Sequence, residues 1–193
     1  MTKVLIDISM IMVGTRFTGI PRVVMEVSRI LSDKPEIELV FLEFCQKRDC
    51  FEIIDTSGFL KFCSNRNENR RKMRTGRYIR YDRIAEDVKT ENPDRLVFLD
   101  LDTVWKTRVR RSFLYPILKK QKITIISHIY DIIPITHPQF CILDDAICFV
   151  DYIGSALQYA DKIIVNSKAT RDEVIKLYCA LNVSPQKRAS VCT

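Results

Sequence analysis

Three side chains able to bond a ligand or move a proton stand close together in Ser127-His128-Ile129-Tyr130-Asp131-Ile132-Ile133-Pro134. A tyrosine hydroxyl can hydrogen-bond a ligand hydroxyl, but a pKa near 10 makes it a poor general base at neutral pH. His128 and Tyr130 are two residues apart, so both point to one face if the strand that precedes them continues. Asp131 alone reads either as a catalytic carboxylate or as an ordinary structural strand end. In Thr18-Gly19-Ile20-Pro21-Arg22 a glycine precedes a proline that suits a first helical turn. A helix N-terminus attracts anions, and a cation such as Arg22 is disfavoured there by about 0.3–1 kcal/mol. An anionic ligand held by Gly19 and Arg22 would remove that conflict; otherwise this is a plain βα turn with a solvated arginine. Ser167, after Asn166, ends a strand at a helix start and reads as an N-cap. Asp100-Leu101-Asp102 has the spacing of a carboxylate pair sharing a divalent cation, but acidic strand ends are common and no metal is assigned. His137-Pro138 most simply opens a helix, and Trp105 reads as packing.

The elements that must position these residues follow from apolar patterning. Short apolar runs at 4–8, 37–44, 95–101, 123–129 and 161–165 end in polar residues and alternate with helical segments, which predicts an α/β fold with a parallel sheet. Ligands of such sheets bind outside the carboxyl ends of the strands. Residues 12–19 read as a loop. From Ile20 the positions Ile20, Val23, Val24, Val27, Ile30 and Leu31 mark one buried helical face. A further helix at 144–160 carries Ala146, Val150, Ile153, Leu157 and Ala160. Residues 51–54 read as a short strand, 64–76 as a solvated loop, 78–91 as a helix, and 108–121 as a helix kinked or broken at Pro116. Thr170 with Glu173 has capping-box spacing, and 187–192 begins one more strand.

The net charge of +7 is concentrated: residues 61–83 hold nine basic and two acidic side chains, which is +7 by itself. The segment around Arg70, Arg71, Lys72 and Arg74, interleaved with Met73, Tyr78 and Tyr81, reads as a basic, mobile insertion. It would either be merely solvated or face an anionic membrane surface. No RNA-recognition module is visible, so no nucleic-acid partner is expected. Seven cysteines without a C-x-x-C pair favour reduced thiols in a cytosolic protein, with Cys148 and Cys179 read as small core residues. Asp7 interrupts the apolar N-terminus, which argues for a buried strand over a signal peptide. No stretch has the roughly 18–20 apolar residues that span a bilayer.

Asp131-Ile132-Ile133-Pro134, the run from Ala160 to Thr170 (ADKIIVNSKAT) and T-G-I-P-R together resemble the N-terminal domain of glycosyltransferase family 4 enzymes of the GT-B fold, in the bacterial mannosyltransferase-like branch. The resemblance covers roughly 3–44 and 95–192. Its usual loop reads His-Asp-Leu-Ile-Pro, so Tyr130 stands where the family has its histidine. It implies that 1–193 is a single Rossmann-like acceptor-side domain, the N-terminal half of a retaining enzyme whose donor-binding half is absent from these residues. That enzyme would move a hexose such as mannose from a nucleotide-sugar to a growing surface glycan, for instance lipopolysaccharide O-antigen or capsule, at the cytoplasmic face of the membrane. Catalytic roles then fall to Asp131, Tyr130 and His128, and acceptor or phosphate contacts to Gly19, Arg22 and Ser167. No cofactor is implied, because the nucleotide-sugar is a substrate bound mainly by the other half. The chain alone would be inactive. The alternative is a stand-alone α/β binding or regulatory module without catalysis.

Overall fold

The computed structural model describes residues 1–15, 19–66, 68–88, 96–107 and 109–181. The strand expected at 187–192 and Thr18 lie outside them. Seven strands form one sheet in the order β4-β3-β2-β1-β5-β6-β7: β1 Thr2–Asp7, β2 Ile37–Cys45, β3 Cys50–Ile54, β4 Arg74–Ile79, β5 Leu96–Asp100, β6 Thr124–Ile129 and β7 Lys162–Val165. β1 pairs in parallel with β2 and β5, and β6 in parallel with β5 and β7. β3 and β4 extend the sheet as an antiparallel edge. The chain leaves β1 toward β2 on one side and β5 toward β6 on the other, so the topological switch point lies between β1 and β5.

Helices cover both faces, as near-continuous apolar strands require. On β1, Val4 and Ile6 enter one core with Phe41, Ile54, Phe59 and Leu99, while Leu5 enters the other with Phe98, Leu114, Ile125 and Phe149. The first core is closed by α1 Ser9–Val13, α2 Ile20–Ser32 and α3 Thr56–Ser64, the second by α5 Arg111–Lys120, α7 Leu143–Tyr159 and α8 Lys168–Ala180. Short α4, Ile84–Asp87, and α6, Ile133–Thr136, complete the set. Pro116 sits inside α5 without ending it; the Ser112 carbonyl loses its helical partner there.

Several expectations are corrected. Residues 9–13 form a short helix that takes in the first two positions of the loop expected at 12–19, and the Asp102 carboxylate holds its start by accepting from the amides of Met10 and Ile11. The buried side of α2 is Val24, Met25 and Ser28, while Val23 and Ile30 face outward. On α7, Val150 is exposed, and Phe149 and Tyr152 take the core positions. Thr170 does not cap α8; Ser167 does. His137-Pro138 leads into a 3₁₀ turn, Pro138–Phe140, and α7 starts only at Leu143. Cys148 is half-buried and Cys179 exposed; the six described cysteines are free thiols, Cys50 being the buried one.

The largest correction concerns the basic segment. From Arg70 onward it is a turn and a sheet strand, while 65–66 and 68–69 lie outside helix and strand as a loop would. Residues 70–73 form a 3₁₀ turn and 74–79 the edge strand β4, where a loop and then a helix were expected. Met73 is buried. Arg74 forks onto Glu43, with Nε donating at 2.7 Å and Nη2 completing the pair. Arg70 Nη1 donates to the carbonyls of Ile11 and Gly14. Arg70 and Arg74 are therefore tied to the fold by their guanidinium groups, contrary to the mobile, membrane-facing reading, although Arg74, like Arg71 and Lys72, remains exposed. Among the described residues no helix is long and apolar enough to cross a membrane.

Candidate functional site

Polar residues gather at the carboxyl ends of the parallel strands, where side chains outgrow the apolar layers. At the switch point Asp7 ends β1 and Asp100 ends β5. Between them lies Arg111, the first residue of α5, only 1% exposed. Its Nη2 donates to Asp7 at 2.8 Å and to Asp100 at 2.9 Å, and its Nε donates to Asp100 at 2.6 Å. Nη1 donates to the Val109 carbonyl at 3.2 Å. Burial works against the guanidinium charge, yet Asp100 and Asp7 hold its pKa well above the ordinary value. The Tyr115 hydroxyl donates to Asp100 at 2.7 Å, and Tyr152 donates to the His128 carbonyl at 2.8 Å while sharing a 2.8 Å bond with Ser127. Every charge in this cluster is paired and closed off from solvent, so it braces the strand ends and offers nothing to a ligand.

Asp102 is drawn into the same layer. One oxygen takes the amides of Met10 and Ile11 at 3.1 and 3.2 Å, the other the Thr103 amide at 2.7 Å. Burial raises its pKa to about 6 against the pull of those amides, and Asp7 adds to the rise. With Asp100 committed to Arg111 and Asp102 to helix α1, the D-x-D pair does not form a cation site. Among the described residues no three His, Cys, Asp or Glu side chains come together as metal ligands.

The His128–Asp131 loop is split between two environments. His128 and Tyr130 do meet, with ring centroids 4.1 Å apart and edge to face. His128 is buried, its Nδ1 has no hydrogen-bond partner, and burial lowers its pKa to about 4. It is therefore neutral at physiological pH. The Tyr130 hydroxyl donates to the Leu101 carbonyl at 2.8 Å, and burial, with Asp102 nearby, pushes its pKa well up. Asp131 is exposed and accepts the Ile133 amide at 3.0 Å, which starts α6. Of the three, Asp131 is the one whose ionisable group is exposed.

Tyr130 and Asp131 line a cleft of about 220 Å³ with Ile20, Trp105, Pro134 and Phe149. Trp105 is fixed edge-on against Phe149, 5.0 Å between centroids. Ile20 brings the N-terminus of α2 to the rim. Gly19 precedes it at φ +65°, a left-handed conformation that a side chain rarely adopts, and its carbonyl accepts from the amides of Arg22 and Val23. Arg22 is exposed and does not line the cleft. Ser167 does not line it either. Its Oγ accepts the Thr170 amide at 3.0 Å, and Thr170 Oγ1 donates to the Tyr130 carbonyl at 3.2 Å. Ser167 thus supports the Tyr130 loop through Thr170. Ser167→Ala is expected to cost about 1 kcal/mol of stability, the usual worth of an N-cap. Urea unfolding that leaves the midpoint unmoved would count against that role.

Sequence reasoning missed Arg111, Tyr115 and Tyr152, which carry the polar cluster. Arg111 follows two other arginines in Arg108-Val109-Arg110-Arg111, and nothing local marks it as the buried one. Fold and site together define a Rossmann-like α/β domain with a small apolar cleft at the carboxyl end of β6. No protein-family model matches the chain, and no curated protein matches it.

Proposed function

We propose that the chain is the acceptor-side domain of a retaining, GT-B-type glycosyltransferase that moves a hexose from a nucleotide-sugar to a growing surface glycan. The observation that carries the reading is the cleft beside β6, where Trp105, Tyr130 and Phe149 supply aromatic walls and Asp131 an accessible carboxylate. Aromatic faces pack against the apolar side of a sugar ring, and a carboxylate accepts from its hydroxyls. The cleft lies on the loop that carries the resemblance to family 4. The nucleotide-sugar would be held mainly by a second domain outside these residues, with no cofactor.

A second reading, a binding module without catalysis, is favoured by the state of the proton-transfer candidates. Tyr130 is already bonded to Leu101, and His128 is buried and neutral. Both readings expect this chain alone to bind glycan and not to transfer it. In calorimetry with mannose-containing oligosaccharides, Trp105→Ala should weaken binding at least tenfold, and GDP-mannose should bind no tighter than millimolar. Micromolar binding of the nucleotide-sugar would overturn the domain assignment; glycan binding indifferent to Trp105 and Asp131 would overturn the site.

A further inference from the structure

Beside the end of α1, at Met12 and Val13, is a second cavity of about 580 Å³. Arg66, Arg70, Arg71 and Arg74 line it, with Glu68 as the opposing charge, so the lining carries a formal +3. Counting Glu43, which pairs with Arg74, leaves +2. We propose that this pocket binds a phosphate-bearing ligand, a diphosphate or a phosphate ester; the proposal does not depend on the glycan reading.

Two of the guanidinium groups are set in place before any ligand arrives. Arg70 is tied to the carbonyls of Ile11 and Gly14 and lies 5.9 Å from the centre of the Phe62 ring. Arg74 is held by Glu43 through Nε and Nη2, which leaves Nη1 for another acceptor. The Arg71 amide donates to Asn69 Oδ1, and its guanidinium makes no hydrogen bond, ion pair or ring contact among the described residues. Arg71 can offer phosphate two parallel N–H donors and Arg74 its remaining Nη1, while Arg70 contributes its fixed positive charge. Gathering like charges around one cavity is repulsive in the empty state, and a bound dianion reverses that sign. The volume is that of an ordinary small-ligand pocket, roughly 300–1,000 Å³, enough for a phosphate with the group it esterifies.

The walls decide between a discrete phosphate and a charged membrane surface. A flat anionic surface would engage every outward cation of the segment alike. Here the heads of Arg70 and Arg74 are fixed at the pocket wall by Ile11, Gly14 and Glu43, and Lys72, one residue from Arg71, is not part of the lining. The phosphate could belong to a soluble diphosphate or to a lipid headgroup, and two probes separate these sources.

Inorganic pyrophosphate is titrated calorimetrically into the chain, and sedimentation with phosphatidic acid vesicles is measured in parallel. The variants are Arg71→Glu and Lys72→Glu, which change charge equally on exposed neighbours, with Arg71→Gln as a milder form should the first not fold. Pyrophosphate is expected to bind below millimolar, at least tenfold more weakly to Arg71→Glu and less than threefold more weakly to Lys72→Glu. The same ranking with vesicles alone would support the site with a lipid phosphate as its ligand. Equal losses in the two Glu variants would mean general surface charge and overturn the pocket, and so would no binding of either probe by the unaltered chain.

Discussion

Arg111→Ala is expected to lower the unfolding free energy by about 3–5 kcal/mol, the cost of leaving buried charge without its partner. Asp7 and Asp100 are fully buried, and Arg111 is their shared counter-ion. Without it, both carboxylates must take up protons or draw in water. For a chain of this size the melting temperature would drop by roughly 6–20 °C, at about 2–4 °C per kcal/mol. The triple change Asp7→Asn, Asp100→Asn, Arg111→Met should recover most of the loss, because a neutral replacement of a whole buried ion group is often close to neutral in stability. Chemical denaturation of the two variants decides the matter. A loss below about 1 kcal/mol in Arg111→Ala would mean that water already reaches the cluster.

The second large effect is on pH dependence, where Asp102 and His128 pull in opposite directions. Asp102 has its folded pKa raised from 3.8 to about 6. Its contribution is fully present below pH 3.8 and is lost as pH rises through 6. His128 has its folded pKa lowered from 6.5 to about 4. Its contribution is present above pH 6.5 and is lost as pH falls through 4. Each shift amounts to roughly 3 kcal/mol at 1.36 kcal/mol per unit, so over pH 4–6 the two nearly cancel. Asp102→Asn should expose the histidine slope, gaining about 3 kcal/mol relative to the parent chain between pH 4 and 6. His128→Gln should expose the aspartate slope and lose a similar amount over the same range. Comparing each variant with the parent removes the surface groups common to all. Parallel stability–pH curves for the three proteins would show that neither group is desolvated as described.

The architecture was legible because it rests on local patterns. Apolar runs ending in polar residues place β1, β2, β5, β6 and β7, and the four-residue apolar repeat places α2 and α7. Tyr130 and Asp131 were legible as candidates because a strand end is visible in sequence, and they do line the cleft. The failures share a cause. Val23, Ile30 and Val150 fit the helical repeat but face outward, since periodicity defines a stripe and not which edge of it the sheet covers. Phe59 and Phe62 of α3 lie in 55–63, where the weak apolar pattern suggested no element. β4 was hidden more deeply. As an edge strand with five exposed residues before Ile79, it lacks an apolar signature, and its pairing with β3 joins residues 20 to 28 positions apart.

By itself, then, the sequence determined the layered α/β arrangement, the parallel direction of β1, β2, β5, β6 and β7 and the loop that bears Tyr130 and Asp131, all of which follow from period, turn residues and strand ends. That β1 and not β6 stands at the centre was decided by the pairing. Which charges are buried was decided only in three dimensions. Asp7 and Arg111 lie 104 positions apart, and Asp102 caps a helix 91 and 92 positions away. Each is an ordinary surface-type residue until a distant partner supplies the hydrogen bonds that make burial tolerable. The same holds for the basic segment. Its charge was plain in the residues, but whether that charge faces outward or encloses a pocket depends on Glu43, Ile11 and Gly14, which its own sequence does not contain.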